Sequence, residues 1–228
     1  MNKKPMNKKI SKSYLNEIPH EKGTLTFQYP AFKGTYGKVA ELIDSEGLKR
    51  PTSPEVASLV YDAWKNSKGE AESEVLKILK DNWFWEFTGN FYLPNSNEKL
   101  NNGVIIVQNP NIINGKLSMD KSSLIKRLNE SDPNVKFVPF GYKIEFQNSK
   151  ELEKNHYIVA RYGEEGAQKI AEVSRKYSIK PYLFGFKSVD EEKQRMSALG
   201  NIWNGVWLNI DGNWYGDGGR SFGISVTN

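Results

Sequence analysis

The chain contains no cysteine and only two histidines, His20 and His156. The absence of cysteine excludes disulfide bonds, thiolate metal ligands and a cysteine nucleophile. Two histidines cannot supply a three-histidine metal site. No apolar run approaches the roughly 20 residues of a membrane span, and no apolar signal-peptide segment follows the N-terminal lysines. We therefore expect no cofactor, no metal and no membrane span, and a cytoplasmic or virion-associated protein.

Positive charge is concentrated at the N-terminus. The chain has 32 basic and 27 acidic residues. Five lysines precede the first acidic residue, Glu17, and without them the basic and acidic residues are equal in number. We interpret residues 1–13 as a disordered basic tail. The neutral remainder argues against nucleic-acid binding, although binding through the tail stays an alternative.

Hydrophobic periodicity predicts a mixture of helices and strands. The pattern contains no internal repeat and no Gly/Ser-rich or Pro-rich linker, so we predict one elaborated α+β domain over residues 14–228. Its parts are a helix-rich framework portion, 14–150, and a C-terminal ligand-binding region, 196–226. The predicted helices are Tyr36–Glu46, one starting at Ser53, Glu72–Leu79, Lys121–Leu128 and Glu164–Tyr177. The predicted strands are Thr24–Tyr29, Trp83–Leu93 with a bend at Thr88–Asn90, Val104–Val107, Val135–Phe146 broken by Pro139 and Gly141, and Pro181–Phe186.

The segment Gly200–Gly223 differs in composition from the rest. It holds seven of the 19 glycines, three of the six tryptophans and four asparagines, and no lysine or glutamate follows Lys193. Large aromatic faces beside short amides and glycine are typical of a paratope. Lysine and glutamate are also depleted at interface cores.

Alternation along this segment separates two faces. Val206, Leu208 and Ile210 share one face of a strand, and Trp207, Asn209 and Asp211 share the other. The pattern predicts the first set in the core and the second exposed. Later in the chain, Phe222, Ile224 and Val226 are predicted to point inward, and Ser221 and Ser225 outward. Turns are predicted at Asp211–Asn213 and Asp217–Gly219.

The stretches RMSALGNIWNGVWLNIDG and GRSFGISV resemble the C-terminal region of C-type-lectin-fold proteins. With the preceding HYIVARYGEEGAQKIAEVSRKYSIKPYLFGF, they are most similar to variable target proteins of diversity-generating retroelements from archaea and archaeal viruses. The resemblance implies a C-type-lectin-like fold of the variety found in formylglycine-generating enzymes.

The resemblance also implies which positions bind ligand. In that family a reverse transcriptase introduces errors at template adenines, and Asn codons of the AAY type can then yield Tyr, Asp, Ser or Gly, but never Lys or Glu. Tryptophan cannot arise from such a codon, so the tryptophans need another codon or belong to the framework. The resemblance implies as ligand-binding residues Asn201, Asn204, Asn209, Asn213, Tyr215, Asp217, Gly218, Gly219 and Ser221. Trp203, Trp207 and Trp214 join these candidates because they are predicted to be exposed.

The sequence thus favours a ligand-binding protein over an enzyme, with a protein or glycan partner on a cell surface. Formylglycine-generating chemistry needs cysteines, and related iron enzymes need three histidines. A glycosidase needs two carboxylates about 5–9 Å apart, for which Asp211 and Asp217 are the only acids in the segment. Calcium binding and an invariant carbohydrate-binding module, with Trp203, Trp207 and Trp214 stacked on sugars, remain alternatives.

Overall fold

The computed structural model describes residues 13–176, 180–202, 207–214 and 218–226, with the backbone alone at 13, 176, 201 and 202. Twelve strands and six helices lie within those ranges. The strands are β1 Ser13–His20, β2 Gly23–Gly34, β3 Phe84–Leu93, β4 Gly103–Gln108, β5 Asn111–Ile113, β6 Lys116–Ser118, β7 Val135–Pro139, β8 Glu145–Phe146, β9 Lys180–Phe184, β10 Lys193–Ile202, β11 Trp207–Trp214 and β12 Gly219–Ile224. The helices are α1 Tyr36–Ser45, α2 Ser53–Lys65, α3 Glu70–Asp81, α4 Lys121–Asn129, α5 Ser149–Leu152 and α6 His156–Lys176.

Ten strands form one mixed sheet. Its order is β1-β2-β12-β3-β10-β11-β9-β8, and β4 and β7 extend it from β3. The C-terminal strand β12 pairs with β2 near the N-terminus, so the two ends of the described chain meet within the sheet. The strands β10 and β11 are antiparallel neighbours, whereas β11 and β9 are parallel.

Helices cover the two sheet faces unequally. The largest core cluster lies between α2, α3, α6 and one face, which we call the helical face; it includes Leu208, Ile210 and Phe222. On the opposite face, α1 packs on β2 and β12 and buries Trp85 with Ala198 in a smaller cluster. None of the described helices is long and apolar enough to cross a membrane.

The predicted helices are present, with local differences in their starts. The helix predicted from Ser53 has Thr52 as its N-cap: the Glu55 carboxylate accepts hydrogen bonds from the Thr52 N–H and hydroxyl, each at 2.8 Å. The predicted start at Glu164 is the second half of α6, because Gly163 interrupts the helix with φ 71° and ψ 169°. A positive φ is a conformation that glycine adopts without steric cost.

Several sequence predictions are wrong. The predicted turn Asp211–Asn213 lies inside β11, because the irregular pairing with β10 between Met196 and Ala198 accommodates those residues without ending the strand. The bend predicted at Thr88–Asn90 also lies inside a continuous strand, β3, whose register against β10 shifts there. Val226 is 64% exposed, since it follows the end of β12, while Phe222 and Ile224 are buried as predicted.

Candidate functional site

The strand β11 carries the candidates Trp207 and Asn209 on the sheet face opposite the helical face. Leu208 and Ile210 are buried in the core on the helical face, as predicted. In the parallel pairing with β9, Trp207 lies opposite Lys180, Asn209 opposite Tyr182, and Asp211 opposite Phe184. These six side chains share the opposite face, which we call the outer face.

Four aromatic rings cluster on the outer face. Phe146 of β8 contacts Tyr182 and Trp207, with ring centroids at 4.7 and 4.9 Å, and Tyr182 contacts Phe184 at 4.4 Å. Phe146 and Phe184 are 41% and 37% exposed. Only Trp207 was predicted from sequence; the alternation of Tyr182 with Phe184 is a signal, but sequence does not reveal that β9 lies beside β11.

Asn209 contradicts its predicted exposure. It shares the outer face with Trp207, yet only 2% of it is exposed, and its Oδ1 is buried without a hydrogen-bond partner. In the sheet, Asn209 lies between Gly200 of β10 and Tyr182 of β9. Alternation correctly gives the side of the sheet but does not give accessibility.

The end of β11 carries two half-buried candidates. The Asn213 Oδ1 accepts a hydrogen bond from Arg195 Nε at 3.0 Å. The Trp214 ring contacts Trp83 at 4.1 Å and Trp85 at 6.2 Å between centroids, and its Nε1 has no partner. Both side chains are partly accessible, and they lie at the border of the outer face.

The candidates on β12 are mostly buried, which corrects their predicted outward placement. Ser221 is fully buried, and its hydroxyl donates to the Trp85 carbonyl at 2.9 Å. A Cβ on Gly219 would lie 2.4 Å from the Trp85 indole. The cause is that β12 lies between β2 and β3 and α1 packs over it. Gly218, at φ 87°, is exposed.

The remaining candidates cannot be placed as side chains. Trp203, Asn204, Tyr215 and Asp217 lie outside the described residues, and Asn201 is described by its backbone alone in β10.

A buried arginine holds the two candidate strands by their main chain. Arg161 of α6 is fully buried and donates from Nη1 to the Asp211 carbonyl at 3.0 Å and from Nη2 to the Ala198 carbonyl at 3.2 Å. Its charge is balanced by Glu86 of β3, which is equally buried and hydrogen-bonded to it. Burial raises the pKa of Glu86, and Arg161 opposes that shift.

Two tyrosines add further buried hydrogen bonds around the same strands. The Tyr92 hydroxyl donates to the Gly212 carbonyl at 2.8 Å. The Tyr157 hydroxyl donates to Asn90 Oδ1 at 2.7 Å, and Asn90 Nδ2 donates to the Ser197 hydroxyl at 2.9 Å. We call Arg161, Tyr92, Tyr157 and Asn90 the main-chain clamp, since its acceptors on β11 are backbone carbonyls.

Asp211 is the carboxylate of the outer-face set. Burial raises its pKa to about 6, against the opposing effects of the Asn213 N–H and Arg161. Its Oδ1 accepts the Asn213 N–H at 2.6 Å, so the side chain fixes the local backbone. This environment favours a structural role for Asp211.

A separate cavity of about 630 Å³ lies between β1, α2 and the interruption in α6. Lys49 there is paired with Glu55, and Arg127 is paired with Asp132 at 2.7 Å. His20 ends β1, and its Nδ1 is 2.9 Å from the Ser58 hydroxyl. Two of the cationic side chains that line the cavity, Lys49 and Arg127, are thus compensated within the protein.

The architecture is similar to that of a solved structure, and the similarity extends over nearly the whole length of that structure's chain. That structure is described as the accommodation of massive sequence variation in Nanoarchaeota by the C-type lectin fold; it superposes with a TM-score of 0.60, at 18% sequence identity, over 87% of this chain and 98% of that chain. This chain has a C-type lectin fold. No protein-family model matches the chain, and no curated protein matches it significantly. Within the C-type lectin fold, the outer face and the main-chain clamp form the candidate site.

Proposed function

We propose that the protein binds ligands through the outer face and its border, and that adenine-directed mutagenic retrohoming diversifies this surface. The ligand is a protein or glycan on another surface. Nucleic acid is disfavoured because the body of the chain is formally neutral.

The main-chain clamp is the observation that carries the proposal. Arg161 and Tyr92 hold β10 and β11 by the carbonyls of Ala198, Asp211 and Gly212, which every amino acid possesses. Side chains such as Trp207 and Asn213 can therefore change while the same backbone hydrogen bonds persist. Burial of Leu208 and Ile210 on the helical face adds to this constancy.

We propose diversification at the accessible candidate positions. Trp207, Asn213, Trp214 and Gly218 are partly or fully accessible. Ser221 and Gly219, in contrast, contact Trp85 within the fold, and their substitution alters packing. The solved structure of similar fold is itself described as accommodating massive sequence variation, which supports the same use of the fold here.

Binding rather than catalysis is also part of the proposal. In the outer-face set, the single carboxylate is Asp211, which is buried and engaged by the Asn213 N–H. General acid–base chemistry on a glycoside requires a second carboxylate at a defined distance. The set offers rings and amides, the groups that recognise ligands in paratopes.

Sequencing of the surrounding DNA tests the diversification. We expect a near-copy of the codons for Gly200–Phe222, differing only at adenines, close to a reverse-transcriptase gene. Absence of such a copy would contradict diversification and leave an invariant binding protein. Randomising Trp207, Asn213 and Trp214 together tests the scaffold: we expect most variants to fold, as measured by protease resistance of the displayed protein.

A further inference from the structure

Rings and hydrogen-bonding side chains alternate across the β9–β11 pair. Along β9 the outer face presents Lys180, Tyr182 and Phe184, and opposite them β11 presents Trp207, Asn209 and Asp211. Each aromatic residue therefore faces a polar one on the neighbouring strand. This arrangement differs from a purely apolar patch, because every ring has a hydrogen-bonding group beside it.

The rings pack against one another. Tyr182 and Trp207 are nearly parallel, at 19° with centroids 6.1 Å apart, and Phe146 stands perpendicular to both. Other exposed large hydrophobic residues, such as Tyr14 on β1 and Ile113 on β5, lie on other strands. Aromatic rings fixed by their neighbours bind a ligand at little cost in side-chain entropy.

Asn209 supplies an independent indication of a polar ligand. Its side chain is 98% buried on the outer face, directly opposite Tyr182, and its Oδ1 lacks a hydrogen-bond partner. A buried carbonyl oxygen without a donor is destabilising by roughly 1–3 kcal/mol. Ligand binding that turns the Asn209 amide toward the surface would give this oxygen a hydroxyl donor, and the exposed Lys180 amine can donate to another ligand oxygen.

We propose that Tyr182, Trp207, Asn209 and Lys180 form a subsite for a pyranose ring of a glycan. A pyranose combines apolar C–H faces, which pack on aromatic rings, with hydroxyl groups that donate and accept hydrogen bonds. The proposal rests on the proposed ligand-binding function and names the ligand class. It also adds a fixed element, since Phe146, Lys180 and Tyr182 lie outside residues 196–226.

The test starts with the full chain on an array of pyranose oligosaccharides, followed by saturation-transfer NMR with the methyl glycosides of glucose, galactose, mannose and N-acetylglucosamine. Titration calorimetry then gives Kd for the tightest oligosaccharide. We expect Tyr182→Leu, which keeps apolar volume but removes the ring, to raise Kd at least about tenfold. Tyr182→Phe should keep Kd within about threefold, because the ring remains.

The matched control is Tyr14→Leu, which removes an exposed tyrosine ring on the distant strand β1 and should leave Kd unchanged. Melting temperatures of all variants verify folding. If Tyr182→Leu leaves glycan binding intact while Asn213→Ala or Trp214→Ala abolishes it, the subsite is wrong and the proposed binding face stands.

Two further outcomes overturn the ligand class. No binding on the array and no saturation transfer with the glycosides would reject a pyranose ligand, while the DNA copy and the randomised library decide the proposed function separately. A protein partner whose binding is lost in Tyr182→Leu, without any glycan binding, would assign the same rings to a protein interface.

Discussion

Arg161 binds Asp211 through the main chain and not through the carboxylate. Its Nη1 donates to the Asp211 carbonyl at 3.0 Å, whereas the carboxylate Oδ1 accepts the Asn213 N–H at 2.6 Å. An arginine beside an aspartate would ordinarily form an ion pair. Here the charge of Arg161 is balanced by Glu86, so the arginine is available to fix backbone.

The clamp predicts a local effect of removing one hydroxyl. Tyr92→Phe leaves the Gly212 carbonyl without its donor, and we expect a loss of about 1–2 kcal/mol in the free energy of unfolding. Hydrogen exchange should accelerate selectively in the amides of β10 and β11. The control Tyr61→Phe removes a hydroxyl that donates to Glu172, away from these strands, and should leave that exchange unchanged.

Substitutions on the two faces of β11 should differ in their effect on stability. Leu208→Ala creates a cavity in the core, and we expect it to cost about 2–5 kcal/mol of stability. Asn213→Ala changes a half-buried side chain and should stay within about 0.5 kcal/mol. Urea unfolding of both variants measures the difference; equal destabilisation would reject a scaffold with an independent surface.

Buried positions on β12 should resist the substitutions that adenine mutagenesis produces. Ser221→Tyr forces a ring into the space below α1, and Gly219→Ser places a Cβ against Trp85. Overpacking of this kind costs about 1–3 kcal/mol or more. Asn213→Tyr is the control and should melt near the wild-type temperature. Full tolerance at Ser221 and Gly219 would restore them to the variable surface.

The raised pKa of Asp211 predicts that the stability of the fold falls as the pH rises. Its folded-state pKa of about 6 lies above the unfolded value of about 3.9, so folding favours the neutral carboxyl. This stabilisation is complete below about pH 4 and is lost as the pH rises through 6. Asp211→Asn should therefore match wild type at pH 4 and exceed it by up to about 3 kcal/mol at pH 8.

Asp132→Asn provides the control of opposite sign. The Asn134 N–H and Arg127 lower the pKa of Asp132, so its charged form stabilises the fold at neutral pH. Because the pKa of Asp132 lies below its ordinary value of 3.8, its carboxylate stays charged at pH 6 and pH 8. Asp132→Asn should therefore be less stable than wild type, by a similar amount at both pH values. Denaturant midpoints at pH 4, 6 and 8 measure both, and a pH-independent effect of Asp211→Asn would contradict the buried carboxyl.

Sequence alone identified the C-terminal segment as the distinctive part of this protein. Composition and alternation predicted the strand around Leu208 and Ile210, their burial, and the opposite orientation of Trp207 and Asn209. These are local properties, because successive side chains of a strand must point to opposite faces. The resemblance to C-type-lectin-fold proteins predicted the fold, and the structural similarity confirmed it.

Only the tertiary structure decided which of those side chains are accessible. Asn209 and Ser221 lie on the predicted side of the sheet but are buried, and for Ser221 the cause is that α1 packs over β12. Alternation cannot distinguish such positions from exposed ones. The parallel pairing of β9 with β11 brought Tyr182 beside Trp207, and Arg161 reached Asp211 from α6, 50 positions earlier in the chain. Side-chain direction is set by the local backbone, whereas burial and long-range partners depend on how distant segments assemble.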